Sequence, residues 1–80
     1  MTIKVLGFGI VREIFGDQAI MAELPESSSI ADLRIYLEDG YPKLARLASY
    51  MIACDDNYAQ PTDLINDRQE IAVIPPVSGG

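Results

Sequence analysis

Only one segment of this 80-residue chain carries a complete helix signature. Ser27-Ser28-Ser29 leads into a run from Ile30 to Glu38 in which Ile30, Leu33 and Leu37 share one helical face. Ser29 and Asp32 have the S-x-x-D spacing of an N-terminal cap. Gly40 stands where a helix is expected to close through a left-handed residue. One helix has one apolar stripe, so it must cover a sheet made from the rest of the chain.

That sheet is legible as short β-prone runs. Thr2 to Phe8 sends Ile3 and Val5 to one face and Lys4, Leu6 and Phe8 to the other. Ile10, Val11, Ile14 and Phe15 have helical spacing over one or two turns, closed by Gly16-Asp17. Gln18 to Leu24 alternates Ala19, Met21 and Glu23 against Ile20, Ala22 and Leu24, and Pro25 stops it. Its tight link to the first run predicts an antiparallel pair. A short helical turn is expected over Lys43 to Leu47, after Pro42. Tyr50 to Cys54 reads as a buried strand, Asp55-Asp56-Asn57 as a turn, Tyr58-Ala59-Gln60 as a short partner strand, and Glu70 to Ile74 as the last strand before Pro75-Pro76.

The order strand, strand, helix, strand, short strand, strand predicts an α+β fold: one main helix and short helical turns covering a mixed sheet of about five strands. The first and last strands are expected side by side and parallel at its centre, with Ile3, Val5, Ile71 and Val73 facing inward. Leu6, Phe8, Ala72 and Ile74 would then form an outer apolar set with no second helix to cover it. Such a patch marks a protein interface.

Charge and missing residue types exclude most chemistry. Six Lys or Arg against twelve Asp or Glu leave a formal charge of −6, unlike the basic face that binds phosphate backbones or anionic membranes. With no His, the commonest general base and transition-metal ligand are absent, as are Ser-His and Cys-His pairs. A single Cys allows neither an internal disulfide nor a CxxC motif, and suits a reducing, cytoplasmic setting. No leader or membrane-spanning run is expected. Cys54 sits in an apolar strand before Asp55 and reads as a small buried hydrophobe. Asp55, Asp56, Asp63 and Asp67 lack the spacing of a cation loop and read as turn formers. Gly7-Phe8-Gly9 lacks the rest of a phosphate loop. No metal site and no bound cofactor are expected, and no side chain stands out as catalytic.

The last six residues differ. Pro75-Pro76-Val77-Ser78-Gly79-Gly80 holds two of the five prolines and two of the six glycines, straight after a strand. Prolines stop the ladder and favour extended backbone, about 3.1 Å per residue, so residues 75–80 would form an arm reaching roughly 20 Å beyond a domain of residues 1–74. Gly79 and Gly80 fit a channel too narrow for side chains, and what the arm delivers is the Gly80 carboxylate.

Ile71-Ala72-Val73-Ile74-Pro75-Pro76-Val77-Ser78-Gly79-Gly80 resembles the end of the small, sulfur-carrying subunits of molybdopterin synthase (MoaD-like), ubiquitin-like β-grasp proteins. The resemblance extends to Val11-Arg12-Glu13-Ile14-Phe15-Gly16 after the first strand, to the Ser29-Ile30-x-x-Leu33 helix start and to Met51-Ile52-Ala53 before a turn. Two turns depart from the family pattern. Asp67-Arg68-Gln69-Glu70 replaces an Asp-Gly-Asp-Glu type, and Asp55-Asp56 an Asn-Gly-like one.

The resemblance implies a β-grasp fold and a carrier with no catalytic side chains. Gly80 would be adenylated by an E1-like, MoeB-like enzyme with ATP and converted to a thiocarboxylate. Pro75, Pro76, Val77, Ser78 and Gly79 would insert into a MoaE-like large subunit of a heterotetrameric synthase. There the sulfur would attack a pyranopterin precursor of the molybdenum cofactor. Leu6, Phe8, Ala72 and Ile74 would make the partner interface. Two alternatives use the same activation: a ubiquitin-like modifier joined to target lysines through Gly80, and a ThiS-type carrier for thiamine, which Pro75-Pro76-Val77 disfavours.

Overall fold

The computed structural model describes residues 1–47 and 49–76. Strand β1 (Thr2–Gly7), helix α1 (Ile10–Phe15) and strand β2 (Ala19–Glu23) come first. Helices α2 (Ile30–Gly40) and α3 (Pro42–Ala45) follow, then strands β3 (Met51–Cys54), β4 (Asn57–Tyr58) and β5 (Ile71–Ile74). The strands form one five-stranded sheet in the order β2-β1-β5-β3-β4. β1 and β5 are parallel at its centre, Val5 opposite Ile71 and Gly7 opposite Val73, and the other pairings are antiparallel. This is the mixed sheet of the β-grasp arrangement.

Alternation decides which face the helix covers. Ile3, Val5, Ile71 and Val73 are all fully buried, and each contributes roughly 1.5–3 kcal/mol by leaving water. α2, on the path from β2 to β3, brings Ile30, Leu33 and Leu37 into the same cluster, with Leu44 of α3 and Val11 and Phe15 of α1. The expected cap is present: the Asp32 N–H donates to Ser29 Oγ at 3.2 Å and the Ser29 N–H to Asp32 Oδ2 at 2.9 Å.

The far end of α2 differs from expectation. Gly40 is the last helical residue, and Tyr41 closes the helix at φ −133°, ψ 79°, its N–H on the Leu37 carbonyl at 2.7 Å. Pro42 is the cause, because a proline drives the residue before it out of the helical region. The left-handed glycine is instead Gly16, at φ 78°, which ends α1. β4 is also displaced from its expected span, because Asn57 and Tyr58 pair with Cys54 and Ala53 directly across the turn.

Both unusual turns have local explanations. Asp55 takes φ 55°, a region that Asp enters more readily than most residues. Its N–H donates to the Glu70 carbonyl at 2.8 Å, and its Oδ1 accepts the Glu70 N–H at 3.1 Å. Over residues 66–70 no φ is positive, so no glycine is needed. Asn66 Oδ1 accepts from the Arg68 N–H at 3.0 Å, and Gln69 Oε1 from the Asn66 N–H at 2.9 Å.

α2 is fastened to the start of β3 through Tyr50, which is buried. Its hydroxyl donates to the Glu38 carboxylate, and the Arg34 guanidinium lies 4.4 Å over its ring. Burial, then the bond to Glu38, pushes the Tyr50 phenol up to about 12. The neutral form is the one the fold holds, whereas an unfolded tyrosine ionises near pH 10. This contribution to stability is therefore complete below pH 10 and is lost as the pH rises toward 12. Tyr50→Phe is expected to lose about 1–2 kcal/mol at neutral pH and to show a shallower decline above pH 10, measured by chemical denaturation of both proteins across that range.

Candidate functional site

The side of the sheet opposite α2 carries a continuous apolar row. Ala19 of β2 lies opposite Leu6 of β1, Leu6 beside Ala72 of β5, Ala72 opposite Ala53 of β3, and Ala53 opposite Tyr58 of β4. One row thus crosses all five strands. Toward the C-terminal end of β5, Ile74 pairs with Met51, and Phe8 follows β1 with its N–H on the Val73 carbonyl at 3.3 Å. Phe8, Met51 and Tyr58 are 50%, 44% and 62% exposed. Leu6, Ala72 and Ile74 are half-buried. Among the described residues, no helix packs over this side.

Leu6, Ala72 and Ile74 therefore share one face by register, and Phe8, the fourth expected interface residue, stands exposed directly after β1. Met51, Ala53 and Tyr58 belong to that face as well, although the sequence reading treats β3 simply as a buried strand. Their signal lies in register: Met51 and Ala53 alternate with Ile52 and Cys54, but only the pairing with Ile74 and Ala72 shows which set faces outward.

The arm begins at the edge of this patch. β5 stops at Ile74, and Pro75 packs against Gly9, where an added Cβ would lie 3.0 Å from Pro75 Cγ. Gly9 has φ 55° and ψ −130°. Two residues earlier, a Cβ at Gly7 would meet Phe15 Cδ2 at 2.8 Å, so glycine is required where α1 lies against β1. Pro76 is half-buried. Val77, Ser78, Gly79 and Gly80, the remainder of the expected arm, lie outside the described residues.

The other candidates have structural roles. Cys54 faces the core opposite Ile71, and burial, then the Asp55 and Asp63 charges, pushes its thiol up, away from a reactive thiolate. Asp63 Oδ2 accepts the Gln60 N–H at 2.8 Å, holding its own turn. Among the described residues, no group of three or more Cys, Asp or Glu is placed to hold a metal ion, and no helix is long and apolar enough to cross a membrane.

The chain is similar to known proteins over nearly its whole length. The ThiS family model matches residues 5–80. A Caenorhabditis briggsae protein named molybdopterin synthase sulfur carrier subunit is 36% identical, over 100% of this chain and 99% of its own length. A Dictyostelium discoideum protein of the same name is 39% identical over 96% of this chain and 94% of its own.

Among solved structures, a putative molybdopterin converting factor subunit 1 from Pyrococcus furiosus superposes with TM-score 0.87, at 24% identity over 96% of this chain and 99% of that one. The small archaeal modifier protein 1 of Methanosarcina acetivorans gives TM-score 0.78, at 26% identity over 99% of this chain and 96% of that one. A chain from a Helicobacter pylori complex of molybdopterin-converting factor subunits 1 and 2 gives 0.70, at 22% identity over the full length of both chains. With its sheet order, its Pro-Pro stop after β5 and a family match running to the final glycine, the chain belongs to the ThiS family of ubiquitin-like β-grasp sulfur carriers.

Proposed function

We propose that this chain is the sulfur-carrier subunit of a molybdopterin synthase, with the Gly80 carboxylate as its reactive group. A carboxylate is a poor electrophile, so activation comes first. An E1-like, MoeB-like enzyme joins a carboxylate oxygen to the α-phosphate of ATP, and pyrophosphate leaves. Sulfide-level sulfur (HS⁻) from a donor then attacks the acyl carbon of the mixed anhydride, the acyl–oxygen bond to AMP breaks and AMP departs, leaving a C-terminal thiocarboxylate and a released proton. That sulfur is the nucleophile delivered to the pyranopterin precursor on a MoaE-like large subunit, which supplies the acids, bases and anion-binding groups.

The observation that carries this reading is the placement of the arm's root, Pro75, at the edge of an apolar row that crosses the whole sheet and that, among the described residues, no helix covers. Leu6, Phe8, Ala72 and Ile74 dock that face on the large subunit while Pro75 to Gly79 enter its active site. The charge of −6 suits basic partner surfaces that also bind ATP or a phosphorylated pterin. The names of the curated relatives favour the molybdopterin pathway over the thiamine one. The complex whose subunit shares this fold supports a large-subunit partner.

A second reading, conjugation of Gly80 to lysines, has the 26% identity to an archaeal modifier protein in its favour. Intact-mass measurement of the chain isolated from cells separates the two. A gain equal to sulfur replacing one oxygen at Gly80 is expected, and Gly80 found only in isopeptide linkage to other proteins would overturn the carrier reading.

A further inference from the structure

We infer that Gly9 is a positioning residue for the arm: it sets the direction in which the chain leaves the sheet, and through it the place to which the C-terminus is delivered. This rests on the carrier reading above. Three observations converge on Gly9. It stands between β1 and α1 at φ 55°, ψ −130°, a combination that an L side chain adopts only under strain. A Cβ there would sit 3.0 Å from Pro75 Cγ, tighter than an ordinary van der Waals contact, so Pro75 would have to give. Gly9 is also held on both sides, by the Phe8 N–H on the Val73 carbonyl and by its own carbonyl, which accepts the Arg12 N–H at 3.1 Å. The loop is therefore braced, and its contact with Pro75 would be relieved mainly by moving the arm.

Pro75 is a stiff lever for such a change. Its ring fixes φ, and Pro76 follows with its own φ fixed, so a displacement at residue 75 is carried through residue 76. This contact joins the root of the functional segment to a residue that only glycine suits.

Gly9→Ala, in the full chain, is expected to leave affinity for the large subunit within about threefold of wild type. Single-turnover sulfur transfer from the thiocarboxylated form is expected to fall about 3- to 10-fold, since Pro75 must give by only a fraction of the 1 Å misplacement that costs about 100-fold. In the free chain, the residual dipolar coupling of the Val77 amide is expected to change while those of Ile71 to Val73 hold.

Pro75→Ala removes the other side of the contact without touching the backbone of Gly9, so it serves if Gly9→Ala folds poorly. In the double variant the two effects are expected to be non-additive. An unchanged Val77 coupling, a wild-type transfer rate, or strictly additive effects would overturn the inference. A wild-type chain that never acquires or transfers sulfur would count against the carrier reading, while the amide couplings would still decide the role of Gly9.

Discussion

Removing Gly80, or adding one residue after it, brings sulfur transfer down to the assay background while stability stays within about 0.5 kcal/mol of wild type. Both halves of this expected result follow from position. Among the described residues, the core cluster draws on none beyond Val73, and the change at residue 80 leaves those side chains untouched. The chemistry depends on where one carbon lies. Each residue of extended chain spans roughly 3.3 Å, and a displacement of only 1 Å in a reacting atom costs about 100-fold. A chain one residue short offers its carboxylate far from both the activating and the receiving centre, and an extended chain presents an amide at residue 80 instead. The measurement is sulfur transfer in a reconstituted synthase beside thermal denaturation of the same proteins. A truncated chain that transfers at the wild-type rate would remove Gly80 from the mechanism.

Phe8→Asp has the second large effect, and it falls on association. Phe8 is 50% exposed in the free chain, so the substitution costs the fold little. If the outer face docks on the large subunit, that ring is covered in the complex, and a charge in its place weakens binding by about 2–4 kcal/mol, or roughly 30- to 1,000-fold. Ile35→Asp is the matching control: Ile35 is 69% exposed on α2, which covers the opposite side of the sheet, and its replacement leaves affinity unchanged. Calorimetric titration against the large subunit, with melting curves of each variant, tests both. Equal losses of stability and affinity at Phe8 would make it a core residue.

Much of this architecture is written locally. The alternation of Ile3 and Val5 against Lys4 and Leu6, the Ser29 to Asp32 cap and the run Ile71 to Ile74 each require only their neighbours to be understood, because pleat and helix periods are short-range properties. The departures arise where a neighbour overrode a residue's own preference. Gly40 could have closed α2 in the left-handed region, but Pro42 forces the exit at Tyr41. Asp55 supplies the positive φ at a turn where an Asn-Gly pair is usual. The placement of Tyr50 under Arg34 and against Glu38 joins residues from separate elements, and no local pattern announces it.

The same division runs through the candidate site. The absence of His, the single Cys and the Pro-Pro stop before Gly79-Gly80 are properties of the sequence alone. They direct attention away from side chains to a main-chain carboxylate, because Ser-His and Cys-His pairs and histidine metal sites need a residue type this chain lacks. Which residues surround the root of the arm was decided only by tertiary structure. Strand order and register align Ala19, Leu6, Ala72, Ala53 and Tyr58 across five strands, and they bring Gly9 against Pro75, 66 positions apart along the chain. Register depends on hydrogen-bonded pairing between distant segments, and a slip of one residue would turn the apolar row to the other face.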